Sequence, residues 1–294
     1  MRISALYRRP ERLNLTDKIV VVTGAAAGIG EATARLLVAE GAQVALLDRD
    51  DAAVKEVAAS LGHRAEAFVA DVTDEASVNG AMSAVIERFG GVDVVVANAG
   101  IAGPVETFAA MDAEAFERVV DVNVFGVART VRAALPSIIE RKGYVLVIAS
   151  AAAIIPTPTI AAYGVSKAGT EALGRSLRME LTETGASAGV AYFGMIDTGL
   201  LRNDLLGGGG FAAILATLPK RFSEPAPVEQ AARAIVDGIK RRGRWIYAPR
   251  YVAVLLSLRT TIALSEPLMA RNTHLRTAIR TADGKAASAS RVAS

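Results

Sequence analysis

The stretch KIVVVTGAAAGIG at residues 18–30 decides the fold. Its first half is a β-branched run that predicts a buried strand, and the pattern after it predicts a helix. Gly24, Gly28 and Gly30 allow a tight turn close to a pyrophosphate, whose charge lies at the helix N-terminus where Ile29 stands. We therefore predict a nucleotide site at this turn. The alternative is a packing turn without a ligand.

An acidic residue ends the next predicted strand. Asp48 lies twenty residues after Gly28. At that distance an acid accepts hydrogen bonds from the adenosine ribose hydroxyls and repels the extra phosphate of NADP. Arg49 acts in the opposite sense, because a guanidinium beside the ribose can pair with a 2′-phosphate. We predict NAD in preference to NADP.

The rest of the chain repeats the alternation of strand and helix through residue 249, which is typical of βα units and a parallel sheet. The predicted strands are Lys18–Thr23, Gln43–Asp48, Arg64–Ala70, Val92–Asn98, Tyr144–Ser150, Ser187–Phe193 and Arg244–Ala248. The predicted helices are Ile29–Glu40, Asp51–Leu61, Asp74–Phe89, Ala113–Arg141, Ala161–Thr184 and Pro227–Lys240. Right-handed crossovers place helices on both faces. The predicted fold class is α/β, a single doubly wound domain with a seven-stranded parallel sheet (a Rossmann fold) over residues 17–249.

Three segments stand outside this alternation. Residues 1–16 are predicted to form an N-terminal arm. The connection at residues 195–226, which we call the lid segment, is long and partly apolar, as expected of a loop that covers a ligand. Residues 250–294 form a C-terminal extension with an apolar helical run, Tyr251–Leu264, that is too short to span a bilayer. Residues 286–294 are predicted to be disordered.

Composition restricts the classes of function. There is no cysteine, so neither disulfides nor thiolate metal sites hold the fold, and a cytoplasmic location is the default expectation. The two histidines, His63 and His274, have no ligand partners at short spacing, so no metal site is predicted. Residues 240–294 contain 11 Lys and Arg but 2 Asp and Glu, so their net charge is about +9, whereas the net charge of the rest of the chain is about −6. This asymmetry indicates a solvated tail or one that touches an acidic surface. The tail lacks the motifs of a nucleic-acid-binding segment.

A catalytic group is predicted from three polar residues. Tyr163 and Lys167 are four residues apart, on one face of a helix, and Ser150 ends the preceding strand thirteen residues earlier. An ammonium about 4.5 Å from a phenolate stabilises it by roughly 3–4 kcal/mol at an effective dielectric of about 20. We therefore expect Lys167 to lower the pKa of Tyr163 towards neutrality, which makes Tyr163 a usable general base.

In these motifs the chain resembles the short-chain dehydrogenase/reductase family from about residue 17 to 249. The shared patterns are TGxxxGIG at Thr23–Gly30, NAG at Asn98–Gly100, Asn123, Ser150 and YxxxK at Tyr163–Lys167. The resemblance implies that Tyr163 is the general acid/base, that Ser150 polarises the substrate oxygen, that Lys167 binds the nicotinamide ribose, and that Asn123 holds a water of the proton relay. It also implies a homodimer or homotetramer built through the helices of Asn123 and Tyr163.

The resemblance extends the predicted cofactor site. It implies that Asp71 and Val72 contact the adenine and that Asn98, Ala99 and Gly100 lie along the dinucleotide. The complete predicted cofactor set is Gly24, Gly28, Ile29, Gly30, Asp48, Arg49, Asp71, Val72, Asn98, Ala99, Gly100, Tyr163, Lys167, Ile196 and Thr198.

One position departs from the family pattern. After the sixth strand, where the family usually has Pro-Gly-x-x-x-Thr, this chain has Phe193 and then Gly194. Thr198 is retained, so it is expected to bind the nicotinamide carboxamide, with the backbone of Ile196 beside it. A turn without the proline is expected to be less rigid.

These observations predict an NAD-dependent oxidoreductase that transfers a hydride between nicotinamide and a hydrophobic secondary alcohol or ketone. Two alternatives stay open. One is an NADP-dependent carbonyl reductase for a carrier-bound ketoacyl group, against which Asp48 argues. The other is a nucleotide-binding scaffold docked to a membrane or partner through residues 250–280, because a basic tail beside an apolar helix suits interfacial binding. In a competing interpretation, that helix folds back over the active site or packs in a subunit interface.

Overall fold

Valine-rich runs form the strands, because β-branched side chains fit a pleated surface that is buried on both faces. The computed structural model describes residues 12–207, 210–216 and 219–292. The strands are β1 Ile19–Thr23, β2 Gln43–Asp48, β3 Ala65–Val69, β4 Val94–Ala97, β5 Tyr144–Ile148, β6 Ser187–Phe193 and β7 Trp245–Ala248. They form one parallel sheet in the order β3-β2-β1-β4-β5-β6-β7. The predicted seven-stranded doubly wound sheet is confirmed.

Helices cover both faces of this sheet. They are α1 Gly28–Ala39, α2 Asp51–Leu61, α3 Glu75–Phe89, α4 Ala113–Val120, α5 Gly126–Glu140, α6 Ala161–Glu180, α7 Gly210–Leu215, α8 Lys220–Ser223, α9 Val228–Lys240, α10 Tyr251–Ser257, α11 Arg259–Met269 and α12 Thr273–Val292. Alternate residues of each strand enter opposite cores: Ile19 and Val21 pack with α3 and α5 on one face, while Val20 and Val22 pack with α1 and α9 on the other.

The predicted helix Ala113–Arg141 is interrupted. Residues Asp121–Phe125 form a π-helical turn between α4 and α5, in which the Gly126 N–H donates to the Asp121 carbonyl. The whole stretch Ala113–Glu140 is apolar and long enough to cross a membrane, but half of its most apolar window is buried inside the protein, as is usual for a core helix packed on a sheet.

The flanking segments differ in part from their prediction. Residues 1–11 of the predicted N-terminal arm lie outside the described residues. The lid segment contains a π-helical turn at Leu200–Leu205 followed by α7 and α8. The C-terminal extension is helical through Val292. Helices α10 and α11 meet at a bend of 86°.

Candidate active site

The turn after β1 presents free backbone N–H groups at the start of α1. Gly24 and Gly28 have φ angles of +66° and +58°, a left-handed conformation that favours glycine. A Cβ on Gly30 would lie 2.0 Å from the Gly24 carbonyl oxygen, so only glycine fits there. Ala27 precedes α1 and provides no side-chain cap. The first N–H groups of α1 are therefore available to an anion.

Asn98 and Ala99, at the end of β4, hold this turn in place. The Asn98 side-chain amide donates to the carbonyls of Thr23 and Gly24 at 2.9 and 3.2 Å. The Thr23 hydroxyl accepts from the backbone N–H groups of Asn98 and Ala99 at 3.0 and 3.1 Å. The conformation of the turn thus depends on the neighbouring strand.

A small pocket of about 150 Å³ opens beside the turn. It is lined by Gly24, Asp48, Arg49, Ala70, Asp71, Val72, Ala99, Gly100, Ile101 and Val122. The predicted adenosine-binding residues are therefore brought together. The Asp48 carboxylate accepts from the Ala26 N–H at 3.0 Å and from the Asp50 N–H at 3.1 Å. Hydrogen bonds from Thr73 lower the pKa of Asp71, and the Arg49 charge acts in the same direction.

Asn123 occupies the π-helical turn, fully buried. Its amide donates to the Ile101 carbonyl at 2.8 Å and to the Ser166 hydroxyl at 2.9 Å, and its oxygen accepts from the Ile101 N–H at 2.8 Å. The Thr170 hydroxyl donates to the Asn123 backbone carbonyl at 2.8 Å. Both amide protons are used within the protein, so the side chain joins the loop after β4 to α6 and has no proton left to donate to a water.

Ser150, Tyr163 and Lys167 converge at the carboxyl end of β5. The Ser150 hydroxyl donates to the Phe193 carbonyl at 3.2 Å and is near enough to the Tyr163 phenol to lower its pKa. The Lys167 ammonium lies 5.6 Å from the centre of the Tyr163 ring and donates to the Ile148 carbonyl at 2.9 Å. The predicted group of residues is thus assembled around the phenol.

The expectation of a lowered tyrosine pKa is wrong for the chain alone. Burial raises the pKa of Tyr163, and the nearby Ser150 hydroxyl offsets this only in part. Burial also lowers the pKa of Lys167 to about 8. The ammonium of Lys167 was expected about 4.5 Å from the phenolate, whereas in the folded chain it donates to the Ile148 carbonyl.

The turn after β6 is held by a residue of the C-terminal extension. The Met195 N–H donates to the Tyr251 hydroxyl at 3.1 Å, and Phe193, at the position of the usual proline, is buried in the core. Thr198 lies against the glycine turn, because a Cβ on Gly28 would be 3.6 Å from its methyl group. The Ile196 backbone pairs with Ala226 across the lid segment. The turn that lacks the usual proline is therefore held by the hydrogen bond between Met195 and Tyr251, a residue of the C-terminal extension.

These groups open into one cavity of about 1080 Å³ that runs from the glycine turn past Tyr163. Its inner wall contains predicted residues: Gly24, Gly28, Ile29, Asp48, Asn98, Ala99, Gly100, Ser150, Tyr163, Lys167, Ile196 and Thr198. Its outer wall is largely apolar and is formed by the lid segment and α10–α12. In the described part of the chain, no group of three or more His, Asp or Glu side chains could hold a metal ion.

No individual residue of the C-terminal extension was predicted to line this cavity. Leu255, Ile262, Met269, Leu275 and Ile279 all line it. The apolar run Tyr251–Leu264 was the available pattern, and one of the open interpretations, a helix folded back over the active site, agrees with its position.

Comparison with known proteins gives the family. Residues 18–205 match the short chain dehydrogenase family. The chain is 35% identical over 185 residues to an uncharacterized oxidoreductase of Staphylococcus epidermidis, covering 62% of this chain and 79% of that protein. It therefore belongs to the short-chain dehydrogenase family and is an oxidoreductase of that family.

Solved structures agree with this assignment. A 3-ketoacyl-(acyl-carrier-protein) reductase from Brucella melitensis complexed with NADH superposes with a TM-score of 0.71 at 27% identity, over 80% of this chain and 97% of that one. An alcohol dehydrogenase from Thermococcus sibiricus complexed with 5-hydroxy-NADP superposes with a TM-score of 0.68 at 29% identity, over 78% of this chain and 94% of that one. The two relatives thus hold different forms of the nicotinamide cofactor.

The lowered pKa of Lys167 predicts how the free energy of unfolding changes with pH. Between about pH 8 and its ordinary value near 10.5, the unfolded chain binds a proton that the folded chain does not, so stability rises with pH in this window. We expect the free energy of unfolding of the wild type, relative to Lys167→Met, to increase from pH 8 to pH 10, measured by urea unfolding. The exposed Lys55 is the control: Lys55→Met should follow the wild-type pH curve. Parallel curves for wild type and Lys167→Met would contradict the burial argument.

Proposed function

We propose that this protein is an NAD-dependent short-chain alcohol dehydrogenase/ketone reductase for hydrophobic secondary alcohols and ketones, with Tyr163 as general acid/base. One observation carries the proposal. The Tyr163 phenol and the Ser150 hydroxyl line one cavity that reaches the glycine turn on one side and an apolar wall on the other.

The residues present fit a nicotinamide dinucleotide. The uncapped start of α1 suits the pyrophosphate, Asp48 suits the ribose hydroxyls, and the small pocket beside Asp71 and Val72 suits the adenine. Ile196, Thr198 and Lys167 line the cavity near Tyr163, where the nicotinamide half would be held. When bound, this cofactor supplies or accepts the hydride.

The side chains around the reacting carbon move one proton. In ketone reduction, Ser150 donates a hydrogen bond to the carbonyl oxygen while Tyr163 gives its proton to that oxygen. In alcohol oxidation the same phenol, ionised, accepts the hydroxyl proton. Burial favours the neutral phenol, which is the form needed for reduction. Oxidation needs the phenolate, which a higher pH or a nearby positive charge favours.

Three finer assignments belong to this proposal. A homodimer or homotetramer is supported by Phe125 and Val165, each 54% exposed on the helices that carry the site. A cytoplasmic location follows only from the cysteine-free composition.

A peripheral membrane contact through residues 250–280 has support in the exposed side chains of Leu264 and Leu268, but other residues of the same helix line the cavity. The docked scaffold is therefore the weaker candidate.

Removing the phenol oxygen tests the chemistry. Tyr163→Phe should lower kcat for a secondary alcohol such as 2-octanol with NAD by about 10²–10⁴-fold, while the affinity for NADH, measured by fluorescence titration, stays near the wild-type value. Tyr247→Phe, an exposed tyrosine on β7, is the control and should keep full turnover. Undiminished turnover in Tyr163→Phe would reject Tyr163 as the acid/base.

Asp48 tests the cofactor preference. Asp48→Asn removes the charge but keeps an oxygen that can accept from the Ala26 N–H. We expect NADPH to bind at least about tenfold more tightly, equivalent to about 1.4 kcal/mol, because a 2′-phosphate no longer faces a carboxylate. Asp51→Asn, on the exposed first turn of α2, should leave the ratio of NADH to NADPH affinities unchanged. Wild-type protein that prefers NADPH would contradict the assignment of NAD.

A further inference from the structure

The C-terminal helices form a wall of the cavity that lies outside the region matched to the family. That match ends at residue 205, whereas the wall comes from α10–α12. The apolar lining side chains are Leu255, Ile262, Met269, Leu275 and Ile279. They are spread over three helices, so the apolar surface extends well away from Tyr163.

This wall is linked to the catalytic helix α6 by an ion pair whose carboxylate is buried and whose guanidinium is partly exposed. The Arg259 guanidinium, at the start of α11, lies 2.6 Å from the Glu171 carboxylate, whose side chain is only 4% exposed. Glu171 is one helical turn beyond Lys167 on α6 and is also paired with Arg175 at 3.3 Å. Arg259 and Arg175 thus both compensate the charge of the buried Glu171 carboxylate. The extension is therefore held at a defined position relative to Tyr163.

The lid segment closes the cavity from the opposite side. Leu201 and Leu205 are buried in a small apolar cluster that includes Tyr163, and Phe211 of α7 lines the cavity. Helix α12 packs on α7, and the buried Ala278 and Ala282 of α12 are small enough to allow the helices a close approach. Two apolar walls thus face each other beyond the phenol.

The geometry points to a long-chain substrate: a secondary alcohol or ketone whose extended hydrocarbon chain lies between the lid segment and α10–α12, with its oxygen at Tyr163. This inference rests on the proposed function and specifies its substrate. A short alcohol would leave most of the apolar wall in contact with water, whereas each buried methylene contributes about a fourfold gain in affinity.

Charge limits what the far end of the chain can carry. On the C-terminal wall, the charged side chain among the described lining residues is the carboxylate of Glu266. Because the other lining side chains of this wall are largely apolar, the chain is expected to end in a neutral, apolar group.

Chain-length dependence tests the inference. We would measure the displacement of a neutral fluorescent probe, N-phenyl-1-naphthylamine, by a series from 2-butanol to 2-dodecanol, and kcat/KM for the same alcohols with NAD. Affinity and kcat/KM should rise about fourfold per methylene over several members of the series. The Tyr163→Phe variant should keep the rise in affinity while losing turnover.

Variants locate the chain. Leu275→Trp and Ile279→Trp, one turn apart on α12, reduce the space along the wall, so each should weaken the binding of the long alcohols at least about tenfold more than the binding of 2-butanol. Leu268→Trp, at a position 69% exposed on α11, is the control and should behave as wild type. Arg259→Leu should raise KM for the long alcohols more than for 2-butanol.

The outcomes separate the two claims. Affinity and kcat/KM that do not change with chain length overturn the long-chain inference and leave the dehydrogenase proposal standing. If affinity and kcat/KM rise with alcohol length in both Leu275→Trp and Ile279→Trp as they do in the wild type, the long-chain inference is also overturned, because the hydrocarbon chain then lies elsewhere. If longer alcohols displace the probe more strongly but none is turned over, the proposed function is rejected, and this substrate with it. The apolar binding site itself would still be supported.

Discussion

All seven strands run parallel, so every strand ends at the same edge of the sheet and every crossover begins there. Backbone groups at that edge are no longer paired in the ladder, and side chains from separate parts of the sequence meet. Thr23, Asp48 and Asn98 come from three neighbouring strand ends and all contact the glycine turn. Ser150 reaches the same edge from β5. The site depends on this parallel arrangement of the strands more than on any single residue.

The buried polar groups behind that edge hold the site together. Asn123 joins the loop after β4 to α6 through three hydrogen bonds, and Lys167 ties α6 to β5. Because a buried donor or acceptor left without a partner costs about 1–3 kcal/mol, these contacts fix where α6 lies and so where Tyr163 points. The π-helical turn at Asp121–Phe125 is the local distortion that presents Asn123 to this network, and such turns are frequent at functional sites.

Much of this could be predicted from the sequence because it rests on local patterns. Alternating β-branched and helical stretches predict all seven strands, and the spacing of Ser150, Tyr163 and Lys167 predicts their meeting. The interruption at Asp121–Phe125 could not be predicted, since it depends on Ile101 and Ser166, which are distant in sequence. Nor could the pKa of Tyr163, because burial and the direction of the Lys167 side chain are set by packing. The placement of α10–α12 over the cavity depends on contacts such as Arg259 with Glu171, 88 residues apart.

The central claim is that one continuous surface, from the small pocket beside Asp71 to the Tyr163 phenol, holds a nicotinamide dinucleotide. A crystal structure of the protein with NADH tests it most directly. The account predicts the adenine between Asp71 and Val72, the adenosine ribose on Asp48, and the nicotinamide ring beside Tyr163. A dinucleotide bound outside this surface, or one whose nicotinamide lies away from Tyr163, would contradict it.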